Sequence, residues 1–253
     1  MSARWLKFVK GHAAWAEAAA QQIARSLREA IERRGKATLV LAGGNTPREA
    51  YLRLADEKFR QEVAWEKVVC LWGDERCVPP DHPDSNFHLA DTTLLSRLPT
   101  PPQIRRIHGE LGAEDAASRY EGDLRSLMRQ ARPAFDLVLL GLGGDGHTAS
   151  LFPDDPALDE KERLAVAVRG SPAHLHDRVT LTLRAINAAR KVLFLVAGDG
   201  KAEILARLFE IGIEDGTSAL PASLVRPRSG QVLWLADDLA AAKILESAAS
   251  SSS

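Results

Sequence analysis

The chain has 253 residues, 45% apolar and 26% charged, with 33 Lys and Arg against 34 Asp and Glu for a net charge of −1. That length can hold one large domain or two small ones, and the apolar share is ample for a substantial core, which excludes extensive disorder. Balanced charge argues against wholesale binding of nucleic acid or an anionic membrane; no apolar run is long enough to span a bilayer, and His12, Glu17 and Arg25 break the Ala-rich stretch in which a signal peptide would need its apolar segment.

From His12 to Arg34 the apolar positions Trp15, Ala19, Ile23, Leu27 and Ile31 recur every fourth residue, and Gly35 follows as a stop: an amphipathic helix. Ala37–Ala42 is a short apolar run ending at Gly43-Gly44, hence a buried strand, and Pro47 suits the first residue of a helix carrying Ala50, Tyr51 and Leu54. Further strands are predicted at Val68–Trp72, Ile104–Ile107, Phe135–Gly141, Leu164–Val168, Val179–Leu183, Val192–Ala197 and Val232–Leu235, with a helix over Ala113–Ala131. Cys70 and Cys77 cannot build a disulfide framework and match no zinc spacing, so they read as idle thiols of a reducing, cytoplasmic compartment. Apolar strands alternating with amphipathic helices predict an α/β fold with a mostly parallel sheet covered on both faces. The close succession of runs between Arg163 and Ala197 adds a small antiparallel part. With no repeat and no long linker, residues 1–246 read as a single domain and the Ser-rich residues 247–253 as a disordered tail.

Ligands of open α/β sheets bind beyond the carboxyl ends of the strands, and three such loops are unusual. Gly43-Gly44-Asn45-Thr46-Pro47 offers bare backbone N–H groups at a helix start, which suits an anion but is also found in ordinary tight turns. Gly73-Asp74-Glu75-Arg76 leaves a buried strand and is stiffened by Pro79-Pro80, which can aim Arg76 into a cleft; a solvated ion pair is the plainer explanation. Gly141-Leu142-Gly143-Gly144-Asp145-Gly146-His147-Thr148 satisfies G-x-G-x-x-G after a strand, yet it starts past mid-chain and puts Asp145 where a pyrophosphate would lie. It offers instead His147 beside a carboxylate, the pairing that general-base catalysis uses. No G-x-S-x-G, H-E-x-x-H, EF-hand or P-loop is present. Arg178 and Lys201 lie at a strand start and a helix start, where a surface charge is the ordinary case.

Together these segments resemble the 6-phosphogluconolactonase family, within the superfamily that includes glucosamine-6-phosphate deaminase. The matching blocks are LAGGNTPREAYLRLA (41–55), WGDERCVPPDHPDSNFHLA (72–90) and FDLVLLGLGGDGHTASLFP (135–153), followed by RVTLTLRAINAAR (178–190), GDGKAEIL (198–205) and LPASLVRP (220–227). The resemblance implies a Rossmann-like domain that hydrolyses 6-phospho-D-glucono-1,5-lactone to 6-phospho-D-gluconate in the pentose phosphate pathway, a carboxylic ester hydrolase needing neither metal nor coenzyme. By position, His147 would be the base that activates water, Asp145 would orient it, and Arg76 would contact the substrate near the reacting end. Gly43, Gly44, Asn45 and Thr46, with Arg178 and Lys201, would hold the phosphate. The implied partner is the small sugar-phosphate lactone alone, with no nucleic acid or membrane, the chain being a monomer or homodimer.

Asn45 replaces the serine usual in that loop but keeps a donor, and Ala173-His174-Leu175-His176-Asp177 replaces a proline-rich stretch before Arg178. Two alternatives stand beside the lactonase. A deaminase-like isomerase would call for DEY at 74–76 and a glutamate at the place of Phe152. A non-catalytic sugar-phosphate-binding protein would have no use for His147 and Asp145.

Overall fold

The computed structural model describes residues 3–130, 135–171, 175–210 and 220–250. The chain opens with β1 (Ala3–Val9), in which Arg4 and Lys7 interrupt the apolar run that marks the other strands. Helix α1 (His12–Arg34) ends where Gly35 turns left-handed at φ 74°. After β2 (Ala37–Leu41), helix α2 (Asn45–Leu54) starts two residues ahead of Pro47, which sits in its first turn and forfeits no helical hydrogen bond there. A short α3 (Glu57–Arg60) leads to β3 (Val68–Trp72), and after Gly73 the chain continues as β4 (Asp74–Arg76). Next come α4 (Asn86–Thr93), a two-residue β5 (Gln103–Ile104) and α5 (Ala113–Gln130). Strands β6 (Leu137–Leu140), β7 (Ala165–Val168) and β8 (Arg178–Leu181) precede α6 (Leu183–Ile186). The chain closes with β9 (Lys191–Val196), α7 (Ala202–Glu210), β10 (Gln231–Asp237) and α8 (Ala242–Ser250).

Seven strands form one sheet in the order β1-β10-β9-β6-β2-β3-β5, every pairing parallel, and β4-β8-β7 form a second, antiparallel sheet. The expected antiparallel part is therefore present in β7 and β8, joined by β4. Every residue of β2, β3 and β6 is buried, so both faces of the large sheet are covered. From β2 the order runs outward through β3 to β5, then returns to β6 on the other side. The boundary of β2 and β6 is thus the topological switch point, where crossovers part and leave a crevice.

Two tyrosines fix where the central strands release their loops. The hydroxyl of Tyr51 accepts from the Ala42 N–H at 2.9 Å and donates to the Ala42 carbonyl at 2.8 Å. Tyr120 does the same for Trp72, at 3.0 and 2.8 Å. Backbone groups that have run out of strand partners are satisfied this way inside the core.

The tail expected at 247–253 needs correction. Helix α8 runs through Ser250, continuing the turn that carries Ile244 and Leu245, because Ala and Ser extend an existing helix at little cost. Residues 251–253 lie outside the described residues.

Candidate active site

The β6 loop carries the strongest chemistry. Its backbone doubles back so that Gly143 N–H donates to the His147 carbonyl at 2.8 Å and Gly146 N–H to the Gly143 carbonyl at 3.1 Å, with Gly146 at φ 86°. A Cβ at Gly143 would lie 2.0 Å from His147 Nδ1, so that glycine makes room for the imidazole and not for a pyrophosphate. Asp145 Oδ1 accepts from the His147 backbone N–H at 3.0 Å and lies 2.6 Å from Nδ1. Partial burial works against the Asp145 charge, but the backbone N–H and the imidazole outweigh it and hold the carboxyl below the ordinary range. An ionised Asp145 keeps the proton on Nδ1 and leaves the lone pair on Nε2, the arrangement of a general base. The Phe152 ring packs 4.7 Å from the imidazole.

The arginines come together across the small sheet. Arg76 on β4 and Arg178 on β8 are direct cross-strand partners. Like charges set opposite each other destabilise a strand pair unless an anion answers them. The side-chain Nε of each is buried with no hydrogen-bond partner. Arg76 is tethered by Nη1 to the Asp84 carbonyl at 2.7 Å; Arg178 has its guanidinium 5.7 Å over Phe152 and 3.8 Å from the buried Asp74 carboxylate. Burial pulls the Arg178 guanidinium below its ordinary range, and Arg76 adds to this while Asp74 opposes it. Asp74 accepts from the Ser150 hydroxyl at 2.6 Å, three residues beyond His147, so Arg178 is moored beneath the histidine loop.

The β2 loop presents a bare helix start. Gly44, at φ 90°, precedes α2, and neither a side-chain cap nor an acidic residue occupies the first turn. Such an N-terminus attracts anions. Lys201 follows β9, half-exposed, its ammonium without a partner among the described residues. The loop leading to it is held by buried Asp237, whose two oxygens accept from Gly198 N–H at 3.1 and 3.0 Å.

All nine residues proposed from the sequence therefore lie along one edge, past the neighbouring strands β9, β6, β2 and β3, with Arg178 facing Arg76. Asp84 binds His176 Nε2 at 2.9 Å at the rim, while His174 lies outside the described residues. Sequence reasoning missed Asn86 and Ser150 and took Asp74 only as part of the Gly73–Arg76 loop; all three are buried polar groups whose partners lie elsewhere in the chain.

Glu75 anchors this region. Only 3% exposed, it accepts from the backbone of Arg76, Asn86 and Phe87 and from the Ser85 hydroxyl, all within 3.0 Å. Burial pushes its carboxyl up, against the pull of those donors. Glu75→Gln relieves the buried charge but turns an NH₂ toward donors. Each donor left unpaired costs about 1–3 kcal/mol, so thermal unfolding should show Tm lowered by about 2–12 °C for each such donor. An unchanged Tm would mean that the donors do not need the carboxylate.

A cleft of about 390 Å³ lined by Phe87, Arg105, Arg106, His108, Arg119 and Asp123 opens beyond β5. Its charge is largely answered internally, since Arg106 and His108 share Glu110 at 2.6 and 3.1 Å and Arg105 lies 4.0 Å from Asp123. None of the nine residues proposed from the sequence lines this cleft.

A family model described as Glucosamine-6-phosphate isomerases/6-phosphogluconolactonase matches residues 10–234. The chain belongs to that family. It is 41% identical over 235 residues to a Homo sapiens protein named 6-phosphogluconolactonase, covering 90% of this chain and 88% of the human one. A Synechocystis protein of the same name is 42% identical over 221 residues, covering 84% and 86%. The crystal structure of 6-phosphogluconolactonase from Thermotoga maritima matches with a TM-score of 0.79 at 31% identity, covering 92% of this chain and 99% of that one. Among the described residues no helix is long and apolar enough to cross a membrane, and no group of three or more His, Cys, Asp or Glu is placed to hold a metal ion. Burial pushes the thiol of Cys70 up to about 12, and burial together with the Asp177 and Glu75 carboxylates pushes that of Cys77 up to about 11.

Proposed function

We propose that this family member works as the lactonase: a cytoplasmic enzyme that hydrolyses 6-phospho-D-glucono-1,5-lactone to 6-phospho-D-gluconate, the second step of the pentose phosphate pathway. The observation that carries the mechanism is the 2.6 Å contact of His147 Nδ1 with Asp145 at the switch point, beside two guanidinium groups with unpaired buried Nε atoms. His147 Nε2 takes a proton from water as its oxygen attacks the lactone carbonyl. The tetrahedral adduct collapses with cleavage of the bond to the ring oxygen, and the imidazolium returns the proton to that departing alkoxide. Water is consumed and a carboxylic acid forms, which ionises.

The Gly43–Thr46 turn, Arg178 and Lys201 hold the phosphate, a dianion suited to a helix start and two cations. Arg76, tethered to the Asp84 carbonyl, contacts the substrate near its reacting end from the same strand pair. An isomerase reading would need an acidic group where the Phe152 ring lies against the imidazole.

The deciding experiment is a lactonase assay with spontaneous hydrolysis of the substrate subtracted. Turnover supports the enzyme; binding of the lactone without turnover would leave a sugar-phosphate-binding protein. Activity should also persist after exhaustive chelation, because a base activates the water here instead of a Lewis acid. Loss on chelation with rescue by one divalent ion would refute this mechanism.

A further inference from the structure

The carboxamide of Asn86 is 1% exposed and lies between the two halves of the anion site. Its Nδ2 donates to the Asp74 carbonyl at 2.9 Å and to Asp74 Oδ1 at 3.1 Å, which fixes the orientation of the amide because both neighbours can only accept. Its Oδ1 is buried with no hydrogen-bond partner, a cost that nothing in the fold of α4 explains. That oxygen presses on Gly43: a Cβ there would lie 1.9 Å from Oδ1, 2.2 Å from Cγ and 2.5 Å from Nδ2, the three nearest atoms all belonging to Asn86. Gly43 is not among the glycines with positive φ, so its backbone does not itself demand glycine. Asn86 is in turn held at the start of α4, its N–H donating to Glu75 Oε1 at 2.7 Å.

We propose that Asn86 is a positioning residue that sets the phosphate turn at a fixed distance from Arg178, and that position 43 is glycine because Asn86 fills the space of its side chain. The proposal rests on reading that turn and Arg178 as phosphate ligands. The contacts form one series. Gly43 packs on the Asn86 carboxamide, the carboxamide donates to Asp74, and Asp74 faces Ser150 at 2.6 Å and Arg178 at 3.8 Å. Moving the amide shifts the turn and the arginine relative to each other, whereas the loop of His147 and Asp145 is reached from Asn86 only at its far end, through Asp74 and Ser150.

The test measures KM and kcat for Asn86→Ala, Asn86→Asp, Gly43→Ala and the double variant Gly43→Ala/Asn86→Ala, on the phosphorylated lactone and on unphosphorylated glucono-1,5-lactone. Each single variant should raise KM for the phosphorylated lactone about tenfold or more; Asn86→Ala, whose side chain binds no substrate, should also hold kcat within about threefold with little change in the slow reaction of the unphosphorylated one. The double variant should be no worse than Asn86→Ala, because the clash is gone; such non-additivity marks direct coupling. Asn86→Asp keeps the volume but sets a second carboxyl against Asp74, so Gly43→Ala, which leaves both Asn86 and Asp74 in place, covers the case in which the Asn86 variants fail to fold. Additive losses, an unchanged KM, or equal losses on both substrates would overturn the proposal. Lys201→Ala, which lies on a different strand loop, separates the two levels. If it lowers preference for the phosphorylated lactone while Asn86→Ala does not, this inference alone fails. If both Lys201→Ala and Arg178→Ala leave that preference intact, the phosphate reading falls and this inference with it.

Discussion

Replacing His147 with alanine should lower kcat by about 10²–10⁴-fold and leave KM nearly unchanged, the expected size for a lost general base. The imidazole sits on a loop whose turns are closed by backbone hydrogen bonds of Gly143 and Gly146, so the loop does not depend on the ring it displays. On the proposed reading, substrate affinity comes mainly from the turn after β2, from Arg178 on β8 and from Lys201 after β9. Removing the ring takes away the proposed proton acceptor together with its contacts to Asp145 and Phe152. An alanine variant that kept most of its kcat would end this assignment, and His176, bound to Asp84 at the rim, is a control whose loss should be much milder. Asp145→Asn should also slow turnover, since a neutral amide no longer favours the tautomer with its lone pair on Nε2. The same variant has a stability signature. A carboxyl held below its ordinary range stabilises the fold fully above its unfolded pKa of about 4 and loses that contribution as pH falls through the lower folded value. Wild type should therefore unfold at higher temperature than Asp145→Asn at neutral pH, and the difference should close in acid.

How far the sequence could be read follows from the range over which each feature is encoded. The histidine loop, the glycine turn and the strand ending at Trp72 were legible because a buried parallel strand announces itself as an apolar run and its loop follows at once. Strand β1 was not, because an edge strand that carries Arg4 and Lys7 shows no such run. Nor could spacing reveal that Arg76 faces Arg178, since that register belongs to a strand pair more than one hundred residues apart in sequence. Asn86 and Ser150 were missed for a related reason. Small polar residues read as surface or cap until a fold buries them, and what makes them significant is Asp74, which both reach across the chain. Family resemblance identified the candidate residues in their blocks; the three-dimensional arrangement explains why a glycine at 43 and a serine at 150 accompany an arginine at 178.

The last expected result concerns how the site divides its work. Alanine at Arg178 or at Lys201 should lower kcat/KM for the phosphorylated lactone by about 10–200-fold, since a charge-assisted hydrogen bond to a dianion is worth roughly 1.5–3 kcal/mol. The two losses should differ in character. Lys201 stands half-exposed and unpaired, so its removal deletes one cation and disturbs nothing else among the described residues. Arg178 is moored over Phe152 and beside Asp74, so its removal also leaves a buried carboxylate without its nearest cation, and some loss of Tm should accompany the loss of affinity. Comparison with unphosphorylated gluconolactone, which has no group to place there, reads the phosphate contribution directly: both variants should narrow the preference for the phosphorylated substrate. Should either lose activity on the two lactones in equal proportion, that residue serves the fold or the hydrolysis, and the phosphate must be held by the α2 start with whichever cation still shows the selective loss.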